Sequence, residues 1–454
     1  MNKSHIIGII SSSKSSIKRV TIMKIGMISL GCSKNLVDSE MIMGLLTKMG
    51  ATIVNDEKDA DIIFINTCGF IEPAKKEAID TILEMSDARK KGAKLVVCGC
   101  LVERYLDDLK KSLPEVDLFI PIKDYPRFGD LIAPLMNLGF SEKLHHNNRV
   151  ISTYPHMAYV KISEGCDNRC HYCAIPLIRG PFRSKSEEEI LDEIKTLTKR
   201  GVKEIVLISQ DTTRYGTDLN NGTSLEKLLL DIVKIEGIEI LRFLYLYPEE
   251  MTENLVKIVK ENPVIAPYFD VPIQHASNKV LKEMNRRDTK EGMEKIFTFI
   301  RKEIPNAILR TTVIVGYPGE TKEDFQELED FIKKIEFDRL GCFTYSKEED
   351  TVAYSLPHQI RKDVKERRFN RIMAIQQEIS YKKGLERIGE IHKTVIEDYD
   401  KESKKYVGRS YAFAPDDIDG VIFVESKKDL EFGSFYNVKI TDADLYNLYG
   451  EVMD

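Results

Sequence analysis

Short apolar runs alternate with amphipathic stretches through the first third of the chain. Runs rich in Ile and Val occupy 24–31, 61–67, 94–99 and 116–122, and charged segments with helical periodicity separate them. Strands that are continuously apolar, with a helix between successive strands, are typical of a parallel sheet covered on both faces. The pattern predicts an α/β domain with a doubly wound parallel sheet over 23–145.

A polar segment at 141–156, rich in His, Asn and Ser, interrupts this periodicity. Its composition predicts a linker. Beyond it, six apolar runs alternate with helical patterns, and a long helical stretch follows at 361–387. Six β/α units fall short of the eight of a closed barrel, so we predict a partial (β/α)6 barrel over 152–385, with its chemistry at the carboxyl ends of the strands. The six runs are 157–163, 203–209, 240–247, 268–273, 307–315 and 337–345.

The tail, 386–454, loses helical periodicity and shows short β-branched and aromatic runs separated by Gly, Asn and Asp. This pattern predicts a small antiparallel β-barrel. The tail has a net charge of −7, whereas the whole chain has −6. An acidic barrel repels phosphates and attracts a basic partner, although a solvated face without a partner is an equally good interpretation.

Composition excludes several classes of function. With 42% hydrophobic and 31% charged residues the chain is globular, and no apolar run reaches the roughly 18 to 20 residues that span a bilayer. Residues 1–22 are basic but lack a signal-peptide core, so we interpret them as an extension from a misassigned start, with an organellar presequence as the alternative. We therefore expect a cytoplasmic protein, in which the eight cysteines serve metal ligation rather than disulfides.

Three cysteines lie within eight residues, directly after the first strand of the predicted barrel: Cys166, Cys170 and Cys173. Three thiolates on a 4Fe-4S cubane leave one iron without a protein ligand, and that iron can chelate a small molecule and pass it an electron. The alternative is a zinc site with His171 or a distant residue as fourth ligand. His171 lies between two of the proposed ligands, where joining the same tetrahedron would strain the loop.

Three further cysteines, Cys32, Cys68 and Cys100, each follow a predicted strand of the first domain. The carboxyl ends of parallel strands share one edge of a sheet, so we expect these thiols to meet there. One such cysteine is usually a small buried residue, but three favour a second 4Fe-4S cubane with an open iron. We interpret Cys98 and Cys342 as core residues.

The CxxxCxxC spacing, with Tyr172 before the last cysteine, resembles the signature of radical S-adenosylmethionine enzymes. The resemblance implies that the open iron binds S-adenosylmethionine and that its reductive cleavage gives a 5′-deoxyadenosyl radical. It also implies cofactor contacts for Tyr172, near the adenine, and for Gly316, where a small residue permits close approach. A core aromatic and a plain strand-to-helix turn are the respective alternatives.

Over 24–454 the chain resembles the methylthiotransferase family, in which a cluster domain, a radical S-adenosylmethionine domain and a C-terminal TRAM-like barrel follow one another. The segments SLGCSKNLVDSE (29–40), EGCDNRCHYCAIPLIRGPFRS (164–184) and VPIQHASNKVLKEMNRRDT (271–289) are most similar to the branch that modifies a protein. That branch inserts a methylthio group at the β-carbon of an aspartate in ribosomal protein S12. One S-adenosylmethionine supplies the methyl group and a second supplies the radical.

The resemblance also implies a partner: ribosomal protein S12, free or in the small ribosomal subunit. A reduced flavodoxin- or ferredoxin-type protein would supply the electrons. The main alternative is a tRNA methylthiotransferase acting on a modified adenosine, which predicts a basic tail. A second alternative is an iron–sulfur or zinc scaffold that only binds ribosomes, which needs no S-adenosylmethionine pocket beside its cysteines.

Overall fold

The structure is a computed structural model that describes residues 23–415 and 419–453. The chain forms an open parallel sheet, then a curved parallel sheet, then a closed barrel. The fold class predicted from the sequence is therefore confirmed, while the predicted extension at 1–22 lies outside the described residues. Among the helices of the described part, none has the length and apolarity needed to span a bilayer.

The first sheet consists of five strands: β1 (Lys24–Ser29), β2 (Thr52–Ile53), β3 (Ile62–Thr67), β4 (Lys94–Gly99) and β5 (Leu118–Ile120). All of them run parallel, in the order β2-β1-β3-β4-β5. Every residue of β3 is buried, as expected for a central strand covered on both faces. The covering helices are α1 (Ser33–Lys48), α2 (Glu72–Ala88), α3 (Cys100–Ser112) and α4 (Phe128–Ile132).

The second part contains eight strands: β6 (Met157–Lys161), β7 (Ser163–Glu164), β8 (Arg183–Ser184), β9 (Glu204–Ile208), β10 (Ile240–Phe243), β11 (Tyr268–Asp270), β12 (Ile308–Val315) and β13 (Arg339–Thr344). Strands β6, β9 and β10 form one parallel sheet, and β11, β12 and β13 form another. Backbone hydrogen bonds join their edges, from Leu241 N to Val264 O (2.8 Å) and from Ala266 N to Leu241 O (2.9 Å). The six predicted strands therefore form one open arc.

Helices alternate with these strands and cover the outside of the arc. Their apolar residues, such as Ile190 and Leu228, pack with strand residues such as Leu207 into the largest core of the protein. The long helix predicted before the tail is present and ends the second part. The helices are α5 (Ile175–Arg179), α6 (Glu187–Lys199), α7 (Leu225–Ile232), α8 (Glu253–Glu261), α9 (Asn278–Glu283), α10 (Lys290–Glu303), α11 (Lys322–Ile335) and α12 (Lys362–Glu386).

The tail forms a closed barrel of β14 (Ile391–Asp400), β15 (Lys405–Arg409), β16 (Ile422–Glu425), β17 (Phe435–Ala443) and β18 (Leu448–Val452), in the order β14-β15-β16-β18-β17. Its pairings are antiparallel except β16 with β18, which is parallel. The barrel packs against the N-terminal ends of the arc: Glu204, the first residue of β9, pairs with Arg409 at 2.6 Å. It therefore lies away from the strand ends at which the cysteine loop begins.

Candidate iron–sulfur and S-adenosylmethionine site

Three cysteines follow neighbouring strands of the first sheet. Cys32 lies between β1 and α1, Cys68 follows β3, and Cys100 is the first residue of α3, directly after β4. The strand order β1-β3-β4 brings all three to one edge of the sheet. Cys32 and Cys100 also lie at helix N-termini, where backbone N–H groups favour negative charge on a thiolate.

Cys68 lies directly against Gly31, the residue before Cys32. Gly31 has a φ of 88°, and a Cβ added to it would lie 2.7 Å from the Cβ of Cys68 and 3.0 Å from its Sγ. Burial raises the pKa of Cys68 and raises the pKa of Cys100 to about 12. Thiols with such pKa values are protonated at neutral pH until a bound cation compensates the charge.

The second set of cysteines lies on a loop whose two ends are paired. Strands β7 and β8 form a short antiparallel ladder that closes the loop at its base. Inside the loop, Cys166 N donates to Gly180 O (3.2 Å) and Cys173 N donates to Cys170 O (3.0 Å). Arg169 adopts a positive φ of 50°, which turns the chain between the cysteines. The three thiols therefore lie on one short loop that is closed at its base.

Both sets of cysteines line one cavity of about 330 Å³, between the first sheet and the open arc. Tyr172 lines it as well, and its contact with the cofactor stays a prediction. Its apolar wall residues come from both parts of the chain. The cavity cysteines are Cys32, Cys68, Cys100, Cys166, Cys170 and Cys173.

The zinc alternative requires a fourth ligand near the loop, and the candidate within the loop is His171. Its Nδ1 lies 2.7 Å from the carbonyl of Glu283, and its backbone N donates to Met284 O at 3.0 Å. Among the described residues, no three His, Cys, Asp or Glu side chains converge closely enough to hold a single metal ion. Three thiols spread around a shared space fit a larger inorganic group, since a cubane holds its ligands at separate irons.

Comparison with known families agrees with this division of the chain. The protein family UPF0004 matches residues 24–121, the radical SAM superfamily matches 160–332, and the TRAM domain matches 388–453. The chain is 48% identical over 451 residues to the ribosomal protein uS12 methylthiotransferase RimO of Acetivibrio thermocellus, covering 95% of this chain and 98% of the relative. It is 49% identical over 434 residues to the protein of the same name from Alkaliphilus oremlandii, covering 95% and 99%. The chain belongs to the RimO family.

Solved structures support the fold of this RimO family member. The radical S-adenosylmethionine methyltransferase TsrM of Kitasatospora setae, with cobalamin and a 4Fe-4S cluster bound, aligns with a TM-score of 0.53 at 13% identity. The alignment covers 71% of this chain and 72% of TsrM. At this identity the likeness concerns the fold alone. Membership of the radical SAM superfamily means that the chain uses an iron–sulfur cluster and S-adenosylmethionine.

Helix α5 separates the two sets of thiols. It begins two residues after Cys173, and its residue Ile178 packs with the preceding Ala174 against Cys100 of the other set. At its end, Arg179 donates to the Sγ of Cys100 at 3.4 Å and to Asp38 at 2.7 Å. A six-residue segment of the RimO family chain therefore connects one cysteine set directly to the other.

Tyr247 and Arg286 support the loop cysteines from the opposite wall. The Tyr247 hydroxyl lies 2.8 Å from the Sγ of Cys170, and the Arg286 guanidinium lies 3.7 Å from the centre of the Tyr247 ring. Arg286 is in turn held by Asp288, with Nε donating at 2.8 Å. A thiolate that binds iron has no proton, so Tyr247 would donate the hydrogen bond and withdraw charge from the sulfur.

The cavity is strongly cationic although the chain is acidic. Asp and Glu are absent from the described residues that line it. Two lining residues, Tyr245 and Gln274, adopt left-handed φ values of 65° and 66°, which non-glycine residues rarely do and which cluster at functional sites. The four cations of the lining are Lys34, Arg169, Arg179 and Arg286.

The remaining predicted positions lie elsewhere. Gly316 follows β12 with a φ of 76°, where an added Cβ would collide with Lys365, and it does not line the cavity. Its cofactor role stays a prediction. Cys98 and Cys342 are buried, as predicted for core residues. Sequence reasoning missed Lys34, Arg179, Tyr247 and Arg286, and the one available signal was the position of Arg179 six residues after Cys173.

Proposed function

We propose that the chain inserts a methylthio group at the β-carbon of an aspartate in ribosomal protein uS12. The observation that carries this proposal is the shared cavity, in which two sets of three thiols from different parts of the chain face the same space. The relatives at 48% and 49% identity, which cover nearly the whole chain, are named uS12 methylthiotransferases. A reaction that breaks a C–H bond and forms a C–S bond needs a radical source and a sulfur source beside one carbon atom.

We propose that each set of cysteines holds one 4Fe-4S cluster with one open iron. Three features support the fit: the sets contain three thiols each, helix N-termini and Arg179 offset charge at Cys32 and Cys100, and no Asp or Glu occurs among the described residues that line the cavity. The second cluster, bound by Cys32, Cys68 and Cys100, is the finer part of the proposal. Two such clusters contain about eight irons.

The clusters would supply an electron to one S-adenosylmethionine and hold the sulfur that a second S-adenosylmethionine methylates. The chain itself contributes the arrangement. Helix α5 fixes the spacing of the thiol sets, and the apolar wall residues Phe70, Ile175 and Leu246 exclude water that would quench a radical. Tyr172 lines the cavity beside Cys173, which supports its proposed contact with the adenine. Gly316 remains a proposed contact for the same molecule.

We also retain the finer expectations as proposals. We propose three domains, with the boundaries 23–145, 152–385 and 386–454. We also propose that a reduced flavodoxin- or ferredoxin-type protein is the electron donor. A protein that modifies a ribosomal protein acts in the cytoplasm, so we propose that location.

The acidic tail supports a basic protein substrate over tRNA, since its charge repels phosphate. Because the barrel packs at the other end of the arc, it would contact a part of the substrate distant from the reacting aspartate.

Mass spectrometry of uS12 and of bulk tRNA, from cells with and without the gene, tests the proposal. We expect the gene to add the mass of a methylthio group to one aspartate of uS12 and to leave tRNA unchanged. Purified, anaerobically reconstituted protein should produce 5′-deoxyadenosine from S-adenosylmethionine and a reductant. If cells without the gene lack a methylthio group on tRNA and the mass of uS12 is the same in both strains, the substrate of the chain is tRNA instead.

A further inference from the structure

Asn35 lies among the first-sheet cysteine set, which consists of Cys32, Cys68 and Cys100. It is the third residue of α1, three residues after Cys32, and it is fully buried. Its amide nitrogen donates to Leu30 O and to Thr67 O, each at 3.0 Å. Leu30 lies two residues before Cys32, and Thr67 directly precedes Cys68. One amide group therefore joins the segments that carry the first two cysteines of the set.

The amide oxygen of the same side chain faces the third cysteine. Asn35 Oδ1 lies 3.3 Å from the Sγ of Cys100 and accepts a hydrogen bond from Arg179 Nη2. Arg179 Nη2 also donates to the Sγ of Cys100, at 3.4 Å. A Cys100 thiolate that binds iron has no proton, so its sulfur and Asn35 Oδ1 are then both acceptors, and the shared guanidinium donates to both. This arrangement therefore suits Cys100 as a metal-bound thiolate.

Two neighbouring polar side chains make fewer of these connections. The amide of Asn66 donates to Asn35 O at 2.8 Å and to Ser39 Oγ at 2.9 Å, and both acceptors belong to α1. The hydroxyl of Thr67 donates to Cys98 O at 2.6 Å, which joins the end of β3 to β4. Each of these side chains links two of the three cysteine-bearing segments, whereas the side chain of Asn35 contacts all three.

We propose that Asn35 is the positioning residue of the first-sheet cysteine set: its side-chain amide holds the three segments at the spacing that one cluster needs, without binding iron itself. This inference rests on the second cluster of the proposed function and adds the residue on which assembly of that cluster depends. A cluster forms only when all three thiols are close at the same time. Hydrogen bonds that fix their segments beforehand lower the entropic cost of binding the cluster.

The test measures the iron content and the melting temperature of the full chain after anaerobic reconstitution. Asn35→Asp keeps the shape of the side chain but removes both N–H donors, and Asn35→Ala removes all of its side-chain hydrogen bonds. The matched control is Gln376→Glu. Gln376 is also a buried amide that donates two hydrogen bonds, to Phe337 O at 2.7 Å and to Ser380 Oγ at 2.9 Å, but it lies in α12. Asn35→Asp and Gln376→Glu each remove two buried donors and add a buried charge, so both should lower the melting temperature.

We expect about eight irons per chain in the unaltered protein and in Gln376→Glu, and about four in Asn35→Asp and Asn35→Ala. The irons that remain in the Asn35 variants belong to the cluster of the cysteine loop. Both variants should therefore keep the electron paramagnetic resonance signal of that reduced cluster and still form 5′-deoxyadenosine.

If the Asn35 variants keep about eight irons, or lose the cluster of the cysteine loop as well, the inference is wrong. It is also wrong if Gln376→Glu loses iron to the same extent, because the loss would then follow from lower stability alone. Failure of the proposed function would instead appear as about four irons in the unaltered protein with full activity.

Discussion

The close approach of the cysteines of the first sheet depends on the residues that surround them. Gly31 provides the space that Cys68 occupies, because its missing side chain would overlap the Cβ of that cysteine. Arg179 approaches Cys100 from the other part of the chain and brings a positive charge to a sulfur whose burial disfavours the thiolate. The thiol positions therefore depend on residues that carry no metal-binding chemistry themselves.

Gly31→Ala should remove one of the two proposed clusters, and Gly50→Ala is its matched control. Both glycines have left-handed φ values, 88° and 93°, so each substitution costs about 1–2 kcal/mol of backbone strain. An added Cβ at Gly50 meets no atom within 4 Å, whereas at Gly31 it meets Cys68. We expect about four irons per chain for Gly31→Ala and about eight for Gly50→Ala, measured after anaerobic reconstitution. Equal iron contents would contradict the role assigned to Gly31.

The sequence was sufficient to predict the cysteines of the cavity, but it did not predict the residues that contact them. Close spacing marks the loop set, and position after a strand marks the other set, so local patterns were sufficient to predict both. Arg286 and Tyr247 lie in separate segments, and their stacked pair reaches Cys170 only once the arc has formed. Contacts of this kind depend on tertiary packing, so the residue pattern of a single segment does not predict them.

At the level of elements, apolar runs predicted strands well where the strands are buried on both faces. All six strands of the arc were predicted, and so were four of the five in the first sheet. The missed strand, Thr52–Ile53, has two residues and is partly exposed, so it leaves almost no pattern. In the tail, Leu448–Val452 was missed because Gly450 and Glu451 interrupt its apolar residues. The parallel pairing of that strand with Ile422–Glu425 is a matter of topology that strand patterns do not encode.

The C-terminal barrel is attached to the arc by buried charges. The carboxylate of Glu204 accepts from Arg242 Nε at 2.6 Å and from Arg409 Nη2 at 2.6 Å. Although burial alone would raise it, these two guanidinium groups lower the pKa of Glu204 to about 2. A carboxyl group with a lowered folded-state pKa stabilises the fold fully above its unfolded value of 4.5, and this contribution is lost as the pH falls towards 2.

Glu204→Gln should therefore weaken the attachment of the barrel, by about 3–5 kcal/mol, because it leaves two buried guanidinium groups poorly compensated. The matched control is Glu239→Gln, since Glu239 also pairs with a residue of the barrel, Lys393, but at an exposed position. That change should have little effect. Thermal unfolding at pH 7 and pH 4 measures both variants. The deficit of Glu204→Gln should shrink at pH 4, and a deficit that is equal at both pH values would contradict the assigned role.

On the scale of the whole molecule, buried ion pairs hold the first sheet against the arc on two sides of the cavity. Asp38 of α1 pairs with Lys161 and Arg179 on one side. On the other, Glu348 pairs with Lys75 of α2 at 3.0 Å and with Arg104 of α3 at 3.1 Å. These side chains are at most 12% exposed, so they are weakly screened by salt and fix the orientation of the two parts. The two sets of thiols therefore face each other in a fixed arrangement.

Removing each set of thiols separately should distinguish the formation of 5′-deoxyadenosine from the transfer of the methylthio group to uS12. Replacing Cys166, Cys170 and Cys173 with Ala should leave about four irons and abolish 5′-deoxyadenosine formation, because the radical source is lost. Replacing Cys32, Cys68 and Cys100 should also leave about four irons, but 5′-deoxyadenosine should still form while uS12 gains no methylthio group. Cys342→Ala is the control, since this buried thiol lies in a strand and should leave iron and both activities unchanged. Iron analysis, chromatography of 5′-deoxyadenosine and the mass of uS12 give the three readouts. About four irons in the unaltered protein, with full activity, would rule out the second cluster.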